Sequence, residues 1–473
     1  MKANSNIVLY TLALLLAGTT AYGQAKKKGT SKNNSKVEAW ISNPDRSALL
    51  QKQTNSLSFT NTDNGTPVID VDATKQFQSI DGFGFTLTGG SATHINQMPG
   101  AAQDALLKEL FLTKGNGIGI SYLRLSIAAS DLSAEVFTYD DVAGDTALQH
   151  FSIDKEKVDL IPVLKKILKL SPGIKILGSP WTAPAWMKTN NSFIGGSLKP
   201  EYYHAYANYF VKYIHAMKAE GINIDAITIQ NEPLHGGNNP SMVMQSAEQA
   251  AFVKEALGPV FKQAKLKTKI ILYDHNCDKP EYPMNILADK DAYPYIDGSA
   301  FHLYGGRISA MSTVHDAYPE KHLYFTEQWS DGKGSFSREL TGNTTRLTIG
   351  AIRNWSRNVL QWNLTSNPAL TPHTDKGGCG QCLGGVTIDG ANITRNSSYY
   401  VLGHASKFVA PGSVRIASNE PEQLDNVAFR TQEGKKVLVV VNNHPAEQEF
   451  QIRENGKLVA VKLGSHAVGT YVW

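Results

Sequence analysis

The sequence predicts an α/β chain, a closed (β/α)8 TIM barrel carrying an antiparallel β-sandwich as a side domain. Three observations predict it. Eight short apolar runs alternate with longer helix-like segments through residues 75–403. Segment 404–473 switches to short alternating runs separated by Gly and Asn turns. Residues 37–74, ahead of the barrel, have the same strand character and can complete the same sandwich.

Taken in order, residues 1–23 read as an export signal. Lys2 supplies a positive start, Ile7 to Gly18 is an apolar run, and Ala21-Tyr22-Gly23 matches a small-x-small cleavage site. The run is short for a bilayer span, which needs about 20 residues. No later run is apolar enough to span, and no Cys follows to carry a lipid. Residues 24–36, rich in Lys, Ser and Asn, read as a flexible lead. The expected location is therefore outside the cytoplasm, in a periplasm or beyond the cell.

The barrel runs are SIDGFGFTLT, YLRLSI, IKILGSP, IDAITIQ, KIILYD, IDGSAFHLY, HLYFTEQ and NVLQWNL. Between them lie patterns such as AAQDALLKELF, KVDLIPVLKKILKL, 201–220, 246–265 and TRLTIGAIRNWSR. Continuous apolar strands separated by helices mean parallel strands buried on both faces. Eight such units close a barrel. A doubly wound sheet is the runner-up, with fewer strands and a Gly-rich first turn as its usual marks. After LGHASKFVAPGSVRI come AFRTQEGKKVLVVVNNHP, EQEFQIRENGKLVAVKL and AVGTYVW, which supply the sandwich strands.

Composition narrows the function. Of the 473 residues 41% are hydrophobic and 19% charged, enough apolar surface for a large core. With 46 basic against 42 acidic residues the net charge is only +4, so nucleic acid is not an expected partner. The cysteines are Cys277, Cys379 and Cys382. One C-x-x-C pair falls short of the four ligands that structural zinc wants, so a local loop staple is expected for Cys379 and Cys382, with Cys277 a buried thiol.

No nucleophile elbow, P-loop, H-E-x-x-H or dinucleotide fingerprint is present. In a barrel the chemistry belongs at the C-terminal strand ends. The acids there are Asp131 after strand two, Glu232 after strand four, Asp274 at the end of strand five and Glu327 at the end of strand seven. A carboxylate at the mouth of a buried strand is costly unless bonded or used. A single one reads as a rim salt bridge, but Glu232 and Glu327 facing across one rim suit paired-carboxylate catalysis. Trp181, Trp186, Trp329 and Trp362 end strands three, seven and eight, which puts four of the 7 tryptophans at that rim. Indole faces stack on the C–H faces of sugars. Trp40 and Trp473 read as core filler. His302 and Tyr304 end strand six, and Tyr304 can hydrogen-bond Glu327.

QNEP, TEQW, SPWTAPAWMKT, YLRLSIAASD and HLY, at the ends of strands four, seven, three, two and six, together resemble glycoside hydrolase family 30, the glucosylceramidase-like family. The resemblance runs from about residue 60 to the end of the chain. Within the family the sequence is most similar to the endo-β-1,6-glucanases. The resemblance implies a retaining β-glycosidase with Glu232 as acid/base and Glu327 as nucleophile. It implies that Asn231 contacts the sugar 2-hydroxyl and that Asp131 and Trp181 hold the far hydroxyls. Arg124, His302, Tyr304 and Trp362 fall on family motif positions as substrate-binding residues. No metal and no cofactor are expected, the partner is a β-glucan polysaccharide or oligosaccharide, and the chain is expected to be a monomer. One stretch departs from the glucosylceramidase pattern. It is the loop after strand eight, SNPALTPHTDKGGCGQCLGG, which puts lipid-linked glucose in doubt as substrate. The alternatives are a glucosylceramidase, xylosidase or fucosidase of the same family, or a carbohydrate-binding protein with a dead site.

Overall fold

The computed structural model describes residues 36–473 apart from Ser56. The expected signal and nearly all of the flexible lead lie outside the described residues. Eight parallel strands close a barrel in chain order, each bonded to the next and the last to the first. They are Gly82–Leu87, Tyr122–Ile127, Lys175–Pro180, Ala226–Thr228, Lys269–Cys277, Ile296–Gly306, His322–Glu327 and Ser356–Gln361. Each overlaps one of the eight apolar runs, but strands five and six continue past theirs to Cys277 and Gly306, and strand eight starts two residues earlier, at Ser356. Most of their residues are buried, as parallel strands covered by helices require. Leu160–Leu170, one of the outer helices, is strongly amphipathic and turns Ile161, Leu164 and Ile167 inward.

The sandwich sheets use strands from both ends of the chain. Lys36–Ser42 pairs antiparallel with Val468–Val472, and Val68–Ser79 pairs antiparallel with Val414–Ser418. One pairing is parallel, against the all-antiparallel expectation: Val68–Asp70 runs beside Gln451–Arg453. The two segments lie far apart in sequence, so no hairpin turn dictates their direction. Val71, Ile416, Leu438, Phe450, Val461 and Tyr471 fill the space between the sandwich layers. The helix Ser397–Ser406 is continuous across the expected 403/404 boundary and is buried along its whole length. His404 ties it to the sandwich through Ser42 and Thr470, each at 2.8 Å.

Trp40 packs at a tilt against Phe408, and Trp473 packs edge-on against Phe59. Cys379 and Cys382 are disulfide-bonded, and Cys277 is a buried free thiol. Among the described residues no helix is long and apolar enough to cross a membrane.

Candidate active site

The barrel interior is built in two layers. The lower layer is apolar: Tyr122, Leu177, Ala226, Ile271, Ala300, Tyr324 and Leu360. Two residues further along a strand the side chain returns to the same face. That step turns the upper layer polar, with Arg124, Ser179, Thr228, His302 and Thr326, and Trp362 above Leu360. Strand five breaks the step. Tyr273 and Asp274 adopt left-handed φ angles of 70° and 63°. The register against strand six slips between Ala300 and Phe301. This bulge brings Asp274, three residues after Ile271, into the upper layer.

Asp274 is fully buried and has five partners. It accepts from Arg124 Nη2 at 2.8 Å, Ser179 Oγ at 2.6 Å, Thr228 Oγ1 at 2.7 Å and Thr326 Oγ1 at 2.6 Å, and it faces His302 Nε2 at 3.1 Å. Burial alone would push its carboxyl up. The Arg124 charge, with His302 and Ser179, holds it well below the ordinary carboxylate range. Arg124 donates to Glu327 through Nη1 and to Asn231 Oδ1 at 2.6 Å through Nη2. Its guanidinium sits 4.8 Å from the Trp181 ring, which in turn stacks on Trp362 at 5.3 Å.

Above this layer lies a pocket of about 460 Å³. Asp131, Glu232, Tyr304, Glu327, Trp362 and the Cys379–Cys382 bridge are on its wall. Tyr304 Oη donates to Glu327 Oε1 at 2.9 Å. Glu232 is held in a left-handed turn, φ 47°, and its backbone N–H donates to the Asp274 carbonyl at 3.0 Å. A single nitrogen, His302 Nδ1, lies 3.5 Å from Glu232 Oε1 and 3.9 Å from Glu327 Oε1. The two oxygens are therefore less than twice 3.9 Å apart.

Charge is shared across this cluster. Burial pulls the His302 imidazole down, but Glu327, Asp274 and Glu232 push it up to about 9. Burial pushes Glu232 up, and His302 more than cancels that, leaving it below the ordinary value. Burial pushes Glu327 up, and the opposing pull of His302 and Arg124 does not fully offset it. Burial, with the charges of Glu327 and Glu232, lifts Asp131 to about 7. On donors alone the two carboxyls differ: Arg124 and Tyr304 both donate to Glu327, and neither donates to Glu232.

Of the predicted residues, Asp131, Glu232, Tyr304, Glu327 and Trp362 line the pocket. Trp181, Asn231 and His302 lie just beneath it, buried. Arg124 has no exposed surface. It acts on the site through Glu327, Asn231 and Asp274, where direct contact with a sugar was expected of it. Trp186 is not at the rim: its indole N–H donates to the Asp140 carbonyl at 3.0 Å and its ring packs on Tyr202. Asp274, in the sequence a strand-end acid without an assigned role, anchors the polar layer, and His275 beside it lines the pocket. Both belong to the polar string Asp-His-Asn closing strand five, which was the available signal.

The loop after strand eight walls one side of the pocket. Cys382 and Leu383 pair with Ser330 and Asp331 after strand seven. Thr374 N donates to the Asp131 carbonyl at 2.9 Å. Gly377 has φ 70°, and a Cβ there would stand 2.7 Å from the Gly237 carbonyl oxygen, so glycine permits this close approach to the loop after strand four.

An eight-stranded barrel with two glutamates and stacked tryptophans at the C-terminal rim defines a glycoside hydrolase. Residues 80–409 match the glycosyl hydrolase family 30 TIM-barrel domain and residues 412–471 its beta sandwich domain. The chain belongs to glycosyl hydrolase family 30. It is 35% identical over 385 residues to an endo-1,6-beta-D-glucanase of Neurospora crassa, covering 77% of this chain and 79% of that one. It is 30% identical over 429 residues to the lysosomal acid glucosylceramidase of Mus musculus, covering 84% and 82%. Among solved structures, the endo-beta1,6-glucanase BT3312 is 36% identical, with a TM-score of 0.87 over 93% of this chain and 99% of that one.

Proposed function

We propose that this chain is a secreted, retaining endo-β-1,6-glucanase. The observation that carries the reaction class is the Glu232–Glu327 pair at one pocket, facing a common His302 nitrogen. The linkage is supported by the two endo-1,6-glucanase relatives.

In this reading Glu327 is the nucleophile, with its charge supported by Arg124 and Tyr304. Glu232 protonates the departing glycosidic oxygen as Glu327 attacks the anomeric carbon. Glu232 then takes a proton from the water that hydrolyses the glycosyl-enzyme. His302 Nδ1 is placed to supply Glu232 with its first proton when a sugar displaces water from the pocket. Trp181, Trp362, Asp131 and Asn231 form the surface for the sugar at the cleavage point. Export rests on residues 1–23, and the chain works as a monomer.

An endo-1,6 enzyme must leave O6 of the sugar at the cleavage point open to carry the next unit. The Pro368–Gly385 loop, which departs from the glucosylceramidase pattern, shapes that side. The test is a product profile over a panel of β-glucans. Oligosaccharides released from β-1,6-glucan alone support the reading. Activity confined to glucosylceramide or to aryl glycosides, with the polymer untouched, overturns it in favour of the glucosylceramidase alternative that the mouse relative represents.

A further inference from the structure

His275 has no part in the reaction above, yet it faces the same carboxylate as His302. His275 Nδ1 and His302 Nδ1 are both buried, and neither has a hydrogen-bond partner. Both point toward the same oxygen, Glu232 Oε1, at 3.8 Å and 3.5 Å. One ring nitrogen from each histidine and one carboxylate oxygen of Glu232 lie within 4.8 Å of one another. A buried polar atom without a partner is destabilising, so two around one carboxylate ask for a common partner.

The donor set is two imidazoles and one carboxylate, the His2Glu set that binds zinc tetrahedrally with one position open. Ligand atoms about 2.0–2.2 Å from a tetrahedral ion stand roughly 3.3–3.6 Å apart. The His302 to Glu232 distance already meets this, and the His275 ring has to move inward to complete the set. The outer contact is also in place. Asp274 Oδ1, 3.1 Å from His302 Nε2, orients the ring with Nδ1 toward the pocket, the carboxylate–histidine–metal arrangement. The fourth position opens into the pocket, where water can occupy it.

We propose that Glu232, His275 and His302 form a binding site for a borderline divalent cation of the zinc class, and that its occupancy switches the enzyme off reversibly. A cation there takes the Glu232 oxygen that must carry the catalytic proton and replaces the proton on His302. The ion is an inhibitor, and the reaction proceeds without it. Magnesium, which prefers six oxygen ligands, does not fit the set.

The test uses the untagged full chain, stripped with EDTA and passed through a desalting column. Zinc chloride is titrated by calorimetry into the wild type, His275→Ala and Glu232→Gln. One zinc per chain is expected in the wild type, with the dissociation constant raised about tenfold or more in each variant. Cobalt(II) bound to the wild type should give the intense visible bands of a tetrahedral site, a readout that needs no variant to fold. Hydrolysis of an aryl β-glucoside should fall with zinc, recover with EDTA and ignore magnesium. Equal zinc affinity in all three proteins, or no heat at millimolar zinc, overturns the proposal and leaves the two nitrogens as contacts for sugar hydroxyls. The calorimetry does not depend on the substrate, so its outcome is separate from that of the glucanase reading.

Discussion

Arg124 Nη2 donates to the Asp274 carboxylate at 2.8 Å, and neither side chain has any exposed surface. The same guanidinium reaches Glu327 and Asn231, so one buried charge pair sets the position of two site residues. Breaking a buried pair from one side leaves an uncompensated charge and costs about 3–5 kcal/mol. Asp274→Asn should therefore lower the melting temperature markedly. It should also shift the pH profile of kcat/KM, because His302 loses a countercharge. Ser179→Ala removes one Asp274 donor and leaves the pair, and should move both readouts far less. A pH profile unchanged in Asp274→Asn would show the pair to be structural only.

Glu327→Gln tests the nucleophile. Turnover should drop by several orders of magnitude, while the far-ultraviolet spectrum and binding of a glucose-shaped inhibitor persist. An active Glu327→Gln enzyme sinks the assignment.

Glu232→Ala tests the acid/base. The loss should be greatest on substrates with poor leaving groups, which need a proton. Added azide should restore rate on an activated aryl glycoside and yield a β-glycosyl azide, since azide needs no general base. An α-azide, or the α-anomer appearing first in the NMR of wild-type products, would rule out double displacement.

The disulfide wall is tested by replacing Cys379 and Cys382 together with Ser. Both cysteines lie on the pocket, and Cys382 is packed with Trp181 and Trp362. Cleavage of β-1,6-glucan should weaken far more than cleavage of an aryl β-glucoside, which occupies a single sugar position. Equal losses in kcat/KM on the two substrates would remove the loop from the account of specificity.

A fifth expectation concerns stability away from the pocket. Burial lifts the Glu156 carboxyl to about 7, against the pull of the Tyr139 hydroxyl that donates to it at 2.8 Å. Its folded value is above its unfolded value, so the folded state binds the extra proton. That contribution is complete below about pH 4.5 and is lost as pH rises through 7, at most about 3 kcal/mol. Glu156→Gln keeps the group neutral. The variant should melt higher than wild type at pH 8 and alike at low pH. No gain at pH 8 would mean that water or a cation already compensates the buried carboxylate.

The barrel and its two glutamates were legible in the chain because both follow from local rules. Apolar runs separated by amphipathic helices define parallel strands, and a glutamate just past such a run stands at the mouth of the barrel. Cys379 and Cys382, three residues apart, were readable as a staple for the same reason. Arg124 was readable as a site residue but not in its role, since its partners Asn231, Asp274 and Glu327 come from three other strands. Asp274 enters the layer only because Tyr273 and Asp274 take left-handed backbone angles and the register against strand six slips. Trp186 shares the segment SPWTAPAW with Trp181, yet a short turn at Ala185–Met187 sends it to Tyr202 while Trp181 stacks under the pocket. Periodicity and strand ends are properties of neighbours in sequence, so the sequence alone determined the fold class and the place of two glutamates at the barrel mouth. Register, bulges and the direction of a turned side chain are decided by contacts between residues of different elements, and only the closed barrel brings those into being.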